Sequence, residues 1–334
     1  MKRKIAIIAG GDSSEYEVSL RSAAGIESFL SSQTQYTTTI VLLRGQDWRA
    51  QVGADEWVAV DKNDFSYIHN GEKHCFDFAY ITIHGTPGEN GVLQGYLDMI
   101  GLPYSCCGVL AAAMTFNKYT CNHYLKGFGV RVAESLLLRK SDTQYPISNI
   151  LTQVGLPCFI KTNVGGSSFG VTKVKAVEEV QSAIEKAFAE GDEVICEAFM
   201  KGIEITCGAY KTRDKAVAFP ITEVVTSNEF FDYDAKYNGQ VDEITPARIP
   251  DDVRDKVQAL TLKIYDILGC KGIIRVDYIL TEAKGEGLNI NLLEVNTTPG
   301  MTATSFIPQQ VRAAGLNIGE VLSEIIEDSL NSKH

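Results

Sequence analysis

The chain has no stretch approaching the ~18 apolar residues of a membrane-spanning helix. Met1-Lys-Arg-Lys is followed by only a short apolar run without a small-residue cleavage site, which reads as a strand rather than a signal peptide. No CxxC pair and no Cys/His zinc spacing is present. The eight cysteines are scattered singly apart from Cys106-Cys107, the pattern of reduced, mostly buried thiols in a cytoplasmic enzyme. Basic residues are too few, 31 against 42 acidic ones, for a nucleic-acid or anionic-membrane binder. An anionic small ligand stays compatible with that balance if lysines and arginines are focused in a cleft. There is no G-x-G-x-x-G, no internal repeat and no low-complexity segment. A length of 334 residues accommodates two or three domains.

What is present centres on Asn289-Ile-Asn-Leu-Leu-Glu-Val-Asn-Thr-Thr-Pro-Gly-Met301, an apolar strand ended by a Pro-Gly turn. Glu294 and Asn296 stand two apart on it, hence on one face. A carboxylate beside an amide oxygen suits a hard cation such as Mg²⁺. Upstream, Ile273-Ile-Arg-Val-Asp-Tyr-Ile-Leu280 is a second strand, with Arg275 and Asp277 again two apart. If the strands pair, the four side chains converge into a metal-plus-arginine clamp of the kind phosphoryl chemistry needs.

From the start, Lys4–Ala9 reads as a strand buried on both faces, Gly10-Gly11 as a turn, and Ser14-x-x-Glu17 as the capping box of a helix. Glu15, at the mouth of the turn, suits either the helix dipole or a substrate ammonium. Thr38–Leu43 and Phe76–Ile83 are further strands, and residues 44–75 read as irregular and hairpin-like. The loop His84-Gly-Thr-Pro-Gly-Glu-Asn-Gly91 follows a strand end, where ligands bind in open α/β sheets; His84 is either structural or touches substrate. Val92–Ile100 is a helix, and Gly108–Lys118 a small-residue helix ending on Lys118. Lys161 ends a strand and opens the hairpin Thr162–Gly170, whose backbone amides can fold over phosphates. Glu193–Met200 is an apolar strand able to sandwich an adenine ring, with Glu204 placed for ribose hydroxyls. Thr226–Arg248 is long, polar and irregular yet aromatic, the pattern of a docking lid with Lys236 within reach of a phosphate. Val253–Leu268 and Glu320–Leu330 are amphipathic helices.

Taken together, GGDSSEYEVSL (10–20), HGTPGENGVLQG (84–95), GGSSFGVTKV (165–174), FFDYDAKY (230–237), RVDY (275–278) and LLEVNTTPGMTATS (292–305) resemble the D-alanine–D-alanine ligase family of ATP-grasp enzymes across nearly the whole chain. That resemblance implies an α/β, three-domain ATP-grasp architecture with an N-terminal parallel α/β domain. The divisions would be 1–105 for substrate, 106–196 for the small ATP-grasp domain, and 197–334 for the metal site and lid. It implies ATP-dependent joining of two D-alanines through an acyl phosphate for peptidoglycan, or, as the alternative, of D-alanine to D-lactate or another acceptor. ATP and Mg²⁺, with Mn²⁺ as a substitute and two ions per site, would be used by a cytoplasmic homodimer with no nucleic-acid or membrane partner.

Residue by residue, the resemblance gives Lys118, Lys161, Ser168 and Lys236 to the phosphates, Glu197, Phe199 and Met200 to the adenine, and Glu204 to the ribose. Asp277, Glu294 and Asn296 become metal ligands. Arg275 and the Gly300 amide would hold the reacting oxyanion. Glu15 takes the first D-alanine's ammonium with His84 nearby, Ser167 and Tyr237 link with Glu15 to order the lid, and Ser305 receives the second carboxylate beside Phe306. The chain departs from the family pattern at Thr162, where proline is frequent, at Val164 and Gly165, where a charged pair is usual, at Phe231, and at Phe306, where leucine is common.

Overall fold

The computed structural model describes residues 2–142, 147–165, 170–226, 241–283, 285 and 287–331. Three sheets follow one another along the chain. The first is built around β1 (Arg3–Gly10), flanked in parallel by β2 (Tyr36–Arg44) and β7 (Phe78–Ile81). Ile5, Ile7 and Ala9 pack toward the helix Tyr16–Leu30, whereas Ala6 and Ile8 pack toward the helix Val92–Ile100. Covering on both faces is why β1 is an unbroken apolar run. Beyond β2, the strands β3 (Asp47–Gln51), β4 (Trp57–Asp61), β5 (Ser66–His69) and β6 (Glu72–His74) add an antiparallel meander. Residues 44–75 are therefore more regular than their sequence suggests. The strands are short and half-exposed, so their alternation is weak.

The second sheet has the order β10 (Thr172–Val174), β9 (Cys158–Thr162), β11 (Glu193–Ala198), β8 (Ser135–Arg139), antiparallel throughout. Its core takes Val180, Ala183, Ile184 and Ala187 from the helix Val180–Glu190. The third sheet runs β15 (Val241–Ile244), β14 (Thr222–Thr226), β12 (Ile203–Lys211), β16 (Ile273–Glu282), β17 (Leu288–Asn296), with β13 (Ala216–Ala218) also on β12. One face of it is covered by the helix Asp251–Leu268, which Gly269 ends in the left-handed conformation. Cys107, Ala111, Cys121, Leu125 and Val130 pack into this third core, with the helices Val109–Phe116 and Lys118–Lys126 against β17. The C-terminal helices Phe306–Ala313 and Ile318–Asn331 share a core with β1 and with Tyr210 and Phe219, and so join the first and third sheets.

Two local expectations change. The helix after the glycine turn begins at Tyr16, and Ser14 does not cap it. Ser13 instead accepts from the Glu15 amide at 3.2 Å and donates to the His84 carbonyl at 2.7 Å. Lys118 does not end a helix: the chain is extended at Asn117, whose side chain accepts from the Thr120 amide at 2.9 Å and caps a new helix. Of the lid segment, Val241–Ile244 is a strand, and residues 227–240 lie outside the described residues. Among the described residues no helix is long and apolar enough to cross a membrane, and the eight cysteines are unpaired, seven of them buried.

Candidate active site

A cleft of about 1040 Å³ runs between the sheets. Its floor is the pairing of β16 with β17, which sets Arg275 opposite Asn296 and Asp277 opposite Glu294. Period-two geometry turns all four toward the cleft, and a register shift follows Asp277. Arg275 grips Asp277 with two bonds, Nε to Oδ1 at 2.9 Å and Nη2 to Oδ2 at 2.8 Å. Thr206 donates to Oδ1 at 2.6 Å and Asn296 Nδ2 to Oδ2 at 3.1 Å. Burial alone would lower the Arg275 pKa, but the charge and hydrogen bonds of Asp277, with Glu294 and Glu89 beyond, raise it, so the guanidinium stays charged. Its carbon lies 5.4 Å from the Phe306 ring centroid.

Two lysines face this floor. Lys118, at the first turn of its helix, donates to the Gly165 carbonyl at 2.6 Å and stands 3.8 Å from Glu294. Lys161, on β9, pairs with the buried Glu197 of β11. Desolvation would lower the Lys161 ammonium, but Glu197 and then Glu294 outweigh it and raise its pKa. At the same end Phe199 packs edge-on to Phe159 at 5.9 Å, with the Lys173 ammonium 3.9 Å from its centroid. Met200 and Glu204 complete that wall.

The opposite end carries Glu15, His84 and Glu89. His84 is buried, and its Nε2 has no hydrogen-bond partner among the described residues. Gly300 and Ser305 line the third side. The Ser305 hydroxyl lies 2.8 Å from that of Thr302 and accepts from the Thr302 amide at 3.1 Å. All the expected site residues that are described thus border one cleft, while Ser167, Ser168, Lys236 and Tyr237 lie outside the described residues. The sequence reading missed Thr206, Glu89, Glu243 and Gln309, which also border it. Only Glu89 carried a signal, a charged residue within the Gly-Pro loop.

Among the described residues no three His, Cys, Asp or Glu side chains gather as a metal cluster. The donor set is two carboxylates and an amide, hard oxygen donors suited to Mg²⁺. Asn296 spends its NH₂ on Asp277, which leaves its oxygen for a cation. Asp277 receives four donors, the full capacity of a carboxylate, so it takes a cation directly only by releasing one of them.

A half-buried arginine, paired lysines and a carboxylate-rich floor between a small and a large antiparallel sheet are the arrangement of an ATP-grasp ligase. The chain matches the models for the D-ala D-ala ligase N-terminus over residues 4–107 and C-terminus over residues 124–327. It is 64% identical to a D-alanine–D-alanine ligase of Phocaeicola vulgatus over 98% of this chain and 99% of that one. It is 65% identical to that of Bacteroides fragilis over the same shares. The VanG D-Ala:D-Ser ligase of Enterococcus faecalis has a similar structure, with TM-score 0.86, 30% identity, and coverage of 98% and 99%. So does the Bacillus anthracis D-alanine–D-alanine ligase complexed with ATP, with TM-score 0.75, 28% identity, and coverage of 98% and 97%. The chain belongs to the D-alanine–D-alanine ligase family.

Proposed function

We propose that this protein joins two D-alanines at the cost of one ATP, giving D-alanyl-D-alanine, ADP and phosphate for peptidoglycan. The observation that carries this reading is the continuity of one cleft from Glu15 and His84, past Arg275 and Gly300, to Lys118, Lys161 and Phe199. A carboxylate and an amine need activation before they condense. A carboxylate oxygen of the first D-alanine attacks the γ-phosphorus, ADP leaves, and an acyl phosphate forms. Lys118, Lys161 and Arg275 offset the charge of that transfer. The amine of the second D-alanine then attacks the acyl carbon and loses a proton, and phosphate leaves. Arg275 and the Gly300 amide stabilise the tetrahedral oxygen.

Glu294, the Asn296 oxygen and, after releasing a donor, Asp277 would hold Mg²⁺, two ions per site, or Mn²⁺ in its place. The metal supplies charge neutralisation of the phosphates. Phe199 and Met200 flank the adenine, Glu197 lies beneath, and Glu204 takes the ribose. Glu15 takes the first ammonium beside His84, and Ser305, beside Phe306, the second carboxylate. Ser167, Ser168, Lys236 and Tyr237 enter through the sequence pattern alone. The reading keeps three units, with the helices of residues 109–126 docked on the last, and a cytoplasmic homodimer.

A second reading is ligation of D-alanine to D-lactate or another acceptor; of these, D-serine is supported by the likeness to a D-Ala:D-Ser ligase. The test is phosphate release with D-alanine alone, then with D-serine or D-lactate added, and chromatography of the products. The dipeptide of D-alanine as main product supports the first reading, and a mixed product in excess supports the second.

A further inference from the structure

Along one edge of β12, β14 pairs as far as Thr206 and β13 takes over from Ala209, so among the described residues that ladder is broken at Cys207 and Gly208. The side-chain amide of Gln310, on the helix Phe306–Ala313, stands in the break. Its Oε1 accepts from the Gly208 amide at 2.8 Å, and its Nε2 donates to the Thr206 carbonyl at 3.0 Å and to the Thr222 hydroxyl at 3.1 Å. Gln310 is fully buried, so these bonds satisfy backbone groups that water does not reach. On its other edge β12 pairs with β16, where Thr206 stands opposite Asp277 and Gly208 opposite Arg275. The Thr206 hydroxyl donates to Asp277, so the tie from Gln310 reaches the cleft floor. The helix also approaches β12 closely. A Cβ on Gly208 would lie 2.4 Å from Ile307 Cδ1 and 2.8 Å from Gln310 Oε1, and glycine leaves that room.

We propose that Gln310 is a positioning residue for the second substrate: it fastens the helix that opens at Ser305 and Phe306 to the strand opposite Arg275 and Asp277, and so holds the acceptor pocket against the reacting centre. This rests on the ligase reading above. Phe306 lies four residues before Gln310, on the same face of the helix, and its ring centroid is 5.4 Å from the Arg275 guanidinium carbon. Ser305, just before it, lines the cleft. A slip of the helix along β12 would carry both away from Arg275. An apolar side chain at 310 would fill the space, but hydrophobic contact is non-directional and sets no register. It would also strand the Gly208 amide and the Thr206 carbonyl, at the cost of unpaired buried polar groups. One amide bonded to two points of β12 and one of β14 fixes both the distance and the register of the helix.

The test uses Gln310→Met and Gly208→Ala in the full chain, with hydroxylamine as a second nucleophile. Gln310→Met keeps the bulk and loses all three bonds, whereas Gly208→Ala keeps the amide and pushes the helix off the strand. Hydroxylamine is small enough to attack the acyl phosphate without the Ser305 and Phe306 pocket, giving D-alanine hydroxamate and phosphate. In both variants the ratio of dipeptide to hydroxamate should fall about tenfold, the scale of a small misplacement beside the reacting atoms. KM for ATP and the rate of hydroxamate formation should stay near wild type. Hydrogen exchange at the Gly208 amide should quicken about two- to tenfold in Gln310→Met, the worth of one lost hydrogen bond. A fall of both products in equal measure overturns the proposal, because it would show a general loosening and not a displaced acceptor pocket. So does an unchanged ratio in either variant. If Gln310→Met does not fold, Gly208→Ala with a wild-type ratio overturns it alone. A wild-type protein that makes neither product removes the ligase reading, while exchange at Gly208 still decides whether Gln310 anchors the helix.

Discussion

Lys161 and Glu197 stand on neighbouring strands of the second sheet with their charged ends in contact, Glu197 buried and Lys161 half-buried at the cleft wall. Each has a proposed part in holding ATP, yet here each satisfies the other. Phosphate oxygens that reach Lys161 would share the ammonium with Glu197. Lys161→Ala should therefore leave a buried carboxylate unpaired and cost about 3–5 kcal/mol of stability, as for broken buried pairs generally. Lys161→Met combined with Glu197→Gln should cost clearly less. Urea unfolding of wild type, Lys161→Ala and the double variant checks this, and a double variant destabilised as much as Lys161→Ala would contradict it.

Asn117 caps the helix that carries Lys118. Asn117→Ala should cost about 1 kcal/mol. It should also raise KM for ATP, because Lys118 rides on the first turn. Thermal unfolding and steady-state kinetics measure the two effects. A loss of stability with KM unchanged would separate the cap from the phosphate site.

Glu294 and Asp277 differ in what they support. Glu294→Gln should cut turnover roughly 100- to 1000-fold, the scale of one lost transition-state contact, with stability near wild type. Asp277→Asn should cut turnover and also lower the urea midpoint, because it strips the half-buried Arg275 of its counter-charge. Equal midpoints for the two variants would contradict the arrangement seen at the cleft floor.

Burial pushes the Glu89 carboxyl up from 4.5, against the opposing effect of His84. Between that ordinary value and its raised one, the folded chain keeps a proton that the unfolded chain has released. Stability from this group is therefore full below about pH 4.5 and declines as pH rises through the window. Glu89→Gln cannot titrate and should flatten that part of the curve. Urea midpoints from pH 4 to 7 test it, and parallel curves for the two proteins would show no such contribution.

The cleft floor was legible because strands have a fixed period: Arg275 and Asp277, like Glu294 and Asn296, had to share faces whatever else the chain did. The register that joins them is a fact of the fold. The helix break at Asn117 was hidden by an apolar run that continues straight into Lys118, although Asn117 and Thr120 carry the spacing of a cap. Ser14 looked like a cap, but the bond between Ser13 and His84, 71 residues apart, took the turn over. Local pattern carries no trace of such a partner. The hairpin-like character of residues 44–75 was legible, but the individual strands of the meander were not, because each is only three to five residues long and shows too little alternation to mark its ends.

The central claim is that a D-alanine carboxylate oxygen attacks ATP within this cleft. D-alanine labelled with ¹⁸O in its carboxylate, turned over with ATP and Mg²⁺, tests it directly by mass spectrometry of the released phosphate. The account predicts one ¹⁸O in each phosphate, formed in step with ADP and with D-alanyl-D-alanine. Phosphate without label would mean that water or another group attacks the nucleotide, and would contradict the account.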